Sequence, residues 1–263
     1  MNTSNFIQET GIEKEYFLFN RTLREHIIEL PDSSIAAFKE KLEILEELGQ
    51  MKQHLTFLLD APASKVFYAS SNVKEVIGYS KEEIMESGYA KMMFKLLPFS
   101  QLKYPLLALV SFVRMSKKDR AAIDQVYSCG LQFKTKLGKK MAFLVRTDVV
   151  ARTASGEPSM LICTMYKICH LIRPNVYWLR FINAEGTSLN FVNTIKPFKN
   201  NVDILSTREK EILSLLPDSS EHIARQLGIE ETTVVKHRKN MLFKTGTRDT
   251  TALVQLCGMS NIF

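Results

Sequence analysis

The chain has 263 residues, 45% of them hydrophobic, with 35 basic and 28 acidic side chains and a net charge of +7. That length can bury two cores and an appendage, and the positive excess lies in residues 51–204, so it argues only weakly for an anionic partner. Cys129, Cys163, Cys169 and Cys257 make neither a C-x-x-C pair nor a metal spacing, which excludes a disulfide scaffold and a zinc cluster and reads as reduced thiols in a cytoplasmic protein. The opening MNTSNFIQETG lacks the basic start and apolar core of a signal peptide. The longest apolar run, 104–113, is half a membrane span.

Residues 1–50 read as helical. Ile35, Phe38, Leu42, Leu45 and Leu48 recur at spacings of three and four between Pro31-Asp32-Ser33-Ser34 and Gly49, which act as start and stop signals. Glu40, Glu43, Glu46 and Glu47 occupy much of the remaining surface. Such a stripe serves packing on a neighbouring domain or contact with a second chain equally well.

Residues 51–172 change character. Phe57-Leu58-Leu59 and Val66-Phe67-Tyr68 are strand-like runs separated by a turn at 60–63. In SSNVKEVIGYSKEEI a serine cap opens a short helix, Gly78 stops it, and Ser80 with Glu83 forms a capping box for the next. From Gln125 onward the period falls to two, giving strands at 125–137, 140–152 and 159–170, joined by turns at 137–139 and 155–158. Two strands, a helical middle and a three-stranded meander make an α+β domain with an antiparallel five-stranded sheet and helices on one face. Through Phe67-Tyr68-Ala69-Ser70-Ser71-Asn72-Val73, Ile77-Gly78-Tyr79-Ser80 and the closing meander, this region resembles a PAS sensor domain. Relatives end the last strand with an Asp-Ile-Thr-like triplet, where this chain has Lys167-Ile168-Cys169. The resemblance implies a cupped sheet that holds haem, flavin, a metabolite or nothing, and the ligand stays unknown. His54 and His170 are the histidines near the cup, and lone histidines more often hydrogen-bond locally than bind haem.

Residues 173–202 contain two alternating runs around Asn183-Ala184-Glu185-Gly186, read as a β-hairpin, with Trp178 packing on the sensor domain. Lys196-Pro197-Phe198-Lys199-Asn200-Asn201 is the expected flexible linker.

Residues 203–263 read as four short helices. Ser206 and Glu209 spell a capping box, and Ile212, Leu215 and Leu216 supply an apolar stripe. A second helix, about 220–227, carries Ile223, Ala224 and Leu227, and Gly228 follows where the chain must turn. The third helix spans about 231–245. At 3.6 residues per turn, Val234, Met241 and Thr245 point one way, with His237 and Arg238 on the flanks. Thr232, Val235, Lys236, Lys239, Asn240 and Phe243 point the other. No acid lies between Thr232 and Arg248, whereas Lys236, Arg238, Lys239, Lys244 and Arg248 do. A packed back and a cationic front suit a major-groove reader. The alternative is a solvated surface helix, which the spacing of Ala224, Gly228 and Val234 disfavours.

L-S-T-R-E-K-E-I-L, H-I-A-R-Q-L-G-I and T-V-V-K-H-R-K-N-M, in this order, resemble the LuxR-type DNA-binding domain of bacterial transcription regulators. The loop 216–219 is about two residues shorter than in most relatives, Val235 stands where many carry a base-reading lysine, and Thr250 replaces a common arginine. The resemblance implies base-edge contacts at Val235, Lys236 and Lys239. The full expected DNA-binding set is Thr232, Thr233, Val235, Lys236, Arg238, Lys239, Asn240 and Lys244. It also implies double-stranded DNA as partner, a homodimer, and contact with RNA polymerase.

The chain shows no phosphate-binding glycine loop, no nucleophile with a matched base and no metal-ligand cluster, so the expectation is a non-enzyme. The reading is a transcription regulator in which a PAS-like input domain governs a LuxR-type output domain. The rival is an interaction scaffold whose last helices serve only to dimerise. For a regulator that docks on DNA as a two-fold dimer, Leu253 and Leu256 of the fourth helix offer a small contact between copies.

Overall fold

The computed structural model describes residues 35–47, 54–60, 65–98, 101, 123–152, 158–174, 176–183, 188–193 and 204–262. Helix α1 (Ile35–Glu47) is followed by strands β1 (His54–Asp60) and β2 (Lys65–Ala69), helices α2 (Val73–Ile77) and α3 (Lys81–Leu96), and strands β3 (Ile123–Lys134), β4 (Lys140–Arg152) and β5 (Pro158–Lys167). Strands β6 (Tyr177–Asn183) and β7 (Ser188–Asn193) precede four helices: α4 (Thr207–Ser214), α5 (Ser220–Leu227), α6 (Glu231–Thr245) and α7 (Thr250–Met259).

The strands form one antiparallel sheet in the order β2-β1-β5-β4-β3-β6-β7. Five were expected here. The other two are the hairpin assigned above to the connection, and they extend the sheet at β3, with Tyr127 opposite Arg180 and Cys129 opposite Trp178. Periodicity could not reveal this. Alternation in β6 places Tyr177, Leu179 and Phe181 on one face and Trp178 and Ile182 on the other, and both sets are buried. A strand covered on both faces has the same period as a free-standing ribbon.

Local signals place the helices. Ser80 and Glu83 close a capping box on α3, and Gly78 ends α2 at φ +83°. Both helices cover one face of the sheet, where Leu55, Phe57, Phe133, Phe143 and Met165 pack with Val73, Ile77, Ile84 and Leu96. The opposite, outer face is shared. At one end α1 contributes Leu42 to a cluster with Leu58, Tyr68, Met160 and Ile162, and Glu46 accepts hydrogen bonds from the Tyr68 hydroxyl and the Ser71 N–H. Leu42 therefore packs within the chain. The surroundings of Ile35, Phe38, Leu45 and Leu48 lie outside the described residues, as does the expected linker at 196–201.

A β-bulge decides what the other end of the outer face looks like. Register shifts between Cys129 and Leu131, at Gly130, whose φ is +84°. Upstream, Tyr127 and Cys129 face outward beside Leu144 and Trp178; downstream, Leu131 and Phe133 turn to the helical face. A side chain at Gly130 would place its Cβ 1.8 Å from the Val176 carbonyl oxygen, so this position excludes every residue but glycine.

The four C-terminal helices dock on that end. Ile204, Leu205, Ile212, Val234, Leu253, Leu256 and Cys257 belong to one buried cluster with Tyr127, Cys129, Leu144, Ile168, Ile172 and Trp178. Trp178 thus packs between sheet and helices rather than on the sheet domain alone. Leu253 and Leu256, read above as a contact between copies, are 1% and 0% exposed within a single chain. An apolar stripe shows that a face is buried but not what buries it. No helix among the described residues is long and apolar enough to cross a membrane.

Candidate nucleic-acid interface

Helix α4 begins at Ser206, whose side chain accepts from the Glu209 N–H while Glu209 accepts from the Ser206 N–H, closing the expected capping box. Helix α5 begins at Ser219, which caps through the His222 N–H, and ends at Gly228 with φ +63°. The left-handed residue turns the chain into α6 at no Cβ cost. Arg208 closes this corner by donating to the Leu227 carbonyl at 3.2 Å.

On α6, Val234, Met241 and Thr245 are fully buried against α4, α5 and α7. Thr232, Lys236, Lys239, Asn240 and Phe243 are exposed, and Thr233, Val235, Arg238 and Lys244 are half-buried. The exposed row runs the length of the helix.

The cations divide into two groups. Arg238 donates to Ser220 Oγ at 2.8 Å and to the Asp218 carbonyl at 2.9 Å, tying α6 to the start of α5. Lys244 meets Glu209 at 2.6 Å, and the Glu209 side chain is only 3% exposed. Burial pushes the Glu209 carboxyl upward, but the bonds from Lys244 and Ser206 outweigh burial and hold it below the ordinary glutamate value. Arg248, just past α6, donates to the carbonyls of Cys169 at 3.1 Å and Ile172 at 3.2 Å. Lys236 and Lys239 make no ion pair among the described residues. Two of the expected DNA-binding residues, Arg238 and Lys244, therefore spend their charge inside the domain, while Lys236 and Lys239 present theirs outward beside the exposed neutral side chains of Thr232 and Asn240. Sequence reasoning had no means to separate these groups, because the partners lie 18 to 79 residues away.

The end of α6 is held by the segment between β5 and β6. Ile172 bridges to Thr247, the Arg173 N–H donates to the Gly246 carbonyl at 2.7 Å, and the Arg248 N–H donates to the Leu171 carbonyl at 3.0 Å. The sequence reading missed this junction. Its one local signal is Gly246, which ends α6 at φ +74°.

In the sheet domain, His54 is buried in β1 with its ring 5.1 Å from that of Tyr166, and burial pushes its pKa down to about 4. His170 is exposed in the turn after β5. Burial pushes the Cys163 and Cys257 thiols up to about 12 and Cys129 upward as well, so none of these is a reactive thiolate. No group of three metal-ligating side chains occurs among the described residues.

Fold and site define a class: a helix-turn-helix unit, cationic on its third helix, α6, and carried by an α+β domain. Residues 203–257 match the family model of bacterial regulatory proteins of the luxR family, and the C-terminal unit is a LuxR-type helix-turn-helix DNA-binding domain. The sequence matches no curated protein. Among solved structures, the chain is similar to the VqmA dimer of Vibrio cholerae, described with LuxR-type receptors, at 18% identity over 83% of this chain and 86% of that one, with a TM-score of 0.34. It is also similar to the N-terminal domain of a diguanylate cyclase with a PAS/PAC sensor from Marinobacter aquaeolei, at 12% identity over 44% and 96% of the chains, TM-score 0.35. A PAS domain from Colwellia psychrerythraea aligns at 12% identity over 48% and 98%, TM-score 0.34.

Proposed function

We propose that this chain regulates transcription by reading duplex DNA through the outward row of α6, under the control of its PAS-like sheet domain. The observation that carries the reading is the pair Lys236 and Lys239, exposed one turn apart on the free face of a LuxR-type reading helix whose other cations are engaged within the chain. Thr232 and Asn240 flank them with hydrogen-bonding groups, and Val235 offers an apolar contact suited to a thymine methyl. Thr233 sits half-buried at the edge, and Arg238 and Lys244 hold the helix in place.

Residues 51–172 serve as the input domain, 173–202 as a connection whose strands β6 and β7 join the sheet, and 203–263 as the output domain. The chain acts as a homodimer, because one helix-turn-helix reads only a few base pairs and paired half-sites supply the rest of the affinity. A small molecule in the PAS-like domain and contact with RNA polymerase complete the proposed partners. Selection of bound duplexes from a random library by the purified chain tests the reading. An enriched motif supports it, and recovery of unselected sequences would leave the scaffold alternative.

A further inference from the structure

The sequence offers Arg248 to DNA, as the last of five cations in an acid-free stretch, but the fold uses it elsewhere. Its guanidinium bridges the carbonyls of Cys169 and Ile172, its N–H meets the Leu171 carbonyl, and its own carbonyl accepts from Arg173. All four partners lie in the short segment that leads from β5 to β6. The same segment presents Val176 to Gly246, where an added Cβ would fall 2.4 Å from Val176 Cγ1. Gly246 closes α6 and Arg248 follows two residues later, so the last turn of the reading helix is fastened to the junction of two sheet strands.

We propose that Arg248 is a positioning residue for DNA reading: without touching DNA, it clasps the end of α6 to the β5–β6 junction and so fixes the orientation of the reading helix relative to the sheet domain. This rests on the DNA-reading function proposed above. The geometry favours it over a phosphate contact for two reasons. The Nε and Nη2 of the guanidinium are already directed at two main-chain carbonyls, so its orientation is set by the junction. The carbonyls belong to the segment that connects β5 to β6, so the clasp is a direct hydrogen-bonded link from the sheet to the end of α6. Between two chains, a fixed orientation sets the distance separating their reading helices, and hence the half-site spacing they accept.

The test uses the full chain as Arg248→Ala and, with no charge altered, Val176→Ala, which loosens the junction from the sheet side. N-ethylmaleimide labelling, mapped by peptide mass, reports on Cys129 and Cys257, both buried where the helices meet the sheet; Cys163, buried on the opposite face, reports loss of the sheet itself. Duplexes selected from a random library by the parent chain provide the DNA probe. The expected result is labelling of Cys129 and Cys257 at least tenfold faster in both variants with Cys163 still protected. The salt dependence of DNA binding should be unchanged by Arg248→Ala, while the variant accepts half-site spacings that the parent rejects. Continued protection of Cys129 and Cys257, a spacing preference as narrow as the parent's, or a salt slope lower by about one unit, the mark of a lost phosphate contact, would each overturn the proposal. If Cys163 also becomes reactive in Arg248→Ala, labelling of Val176→Ala decides by itself. A parent chain that enriches no duplex would refute the DNA reading instead, and labelling would still decide whether the clasp exists.

Discussion

Gly246, the residue that ends the reading helix, lies so close to Val176 that a methyl group added to it would sit 2.4 Å from Val176 Cγ1. The contact joins the end of α6 to the residue just before β6 and leaves no room for a side chain in between. Gly228, which turns α5 into α6, has a similar positive φ but no atom within 4 Å of the place where a Cβ would be. The two glycines therefore separate backbone cost from packing cost.

Gly228→Ala should lower stability by about 1–2 kcal/mol, the cost of a left-handed L-residue. Gly246→Ala should add to this an overpacking cost of roughly 1–3 kcal/mol. Chemical denaturation of the two variants checks the difference. Equal losses would mean that Val176 moves aside freely and that the seam between sheet and helices is loose.

The exposed lysines should affect binding without affecting folding. Lys236→Ala and Lys239→Ala are expected to melt with the parent chain, since neither side chain is buried or ion-paired among the described residues. A lost base contact should weaken specific binding by about 1–3 kcal/mol and relax one position of the site, whereas a lost phosphate contact should lower the salt slope by about one unit. Titrations at several salt concentrations distinguish these outcomes, and parental affinity and slope in both variants would remove α6 as the reader.

Lys244 should behave in the opposite way. Its removal leaves the Glu209 carboxylate buried and short of a partner, so Lys244→Met is expected to cost about 1–3 kcal/mol of stability at neutral pH. Because Glu209 is held below the usual glutamate value of 4.5, the stability it contributes is present above that value and lost as pH falls through its depressed one. The gap between parent and variant should therefore narrow in acid. Denaturation curves from pH 7 to pH 3 would show it, and a gap that stays constant would mean the pair contributes nothing through charge.

His54 supplies a second pH dependence at milder acidity. Its folded pKa of about 4 lies below the ordinary 6.5, so the unfolded chain takes up a proton first as pH falls between those values. Stability should decline across this window, by roughly 3 kcal/mol at most. His54→Phe, which keeps a ring beside Tyr166, should lack that component; a variant with the same pH profile would place the titration elsewhere.

Local chemistry was legible in the sequence. The capping boxes at Ser206 and Ser80, the left-handed turn at Gly228 and the buried Val234, Met241 and Thr245 all follow from helical spacing and from which residues can cap, and the structure has each of them. What the sequence concealed depends on distant partners. Arg238, Lys244 and Arg248 look alike as cations of one acid-free stretch and differ through Ser220, Glu209 and Cys169. Leu253 and Leu256 are apolar whether a second chain or the sheet covers them. Tyr127 and Phe133 share one parity in β3, yet the Gly130 bulge places them on opposite faces.

Footprinting of the full chain on fragments of its own genome, at physiological salt, addresses DNA reading most directly. The expected result is a set of discrete protected sites sharing one motif, with that preference lost or relaxed in Lys236→Ala and Lys239→Ala while the fold remains intact. Uniform protection without a motif, or sites unaffected by both substitutions, would contradict it.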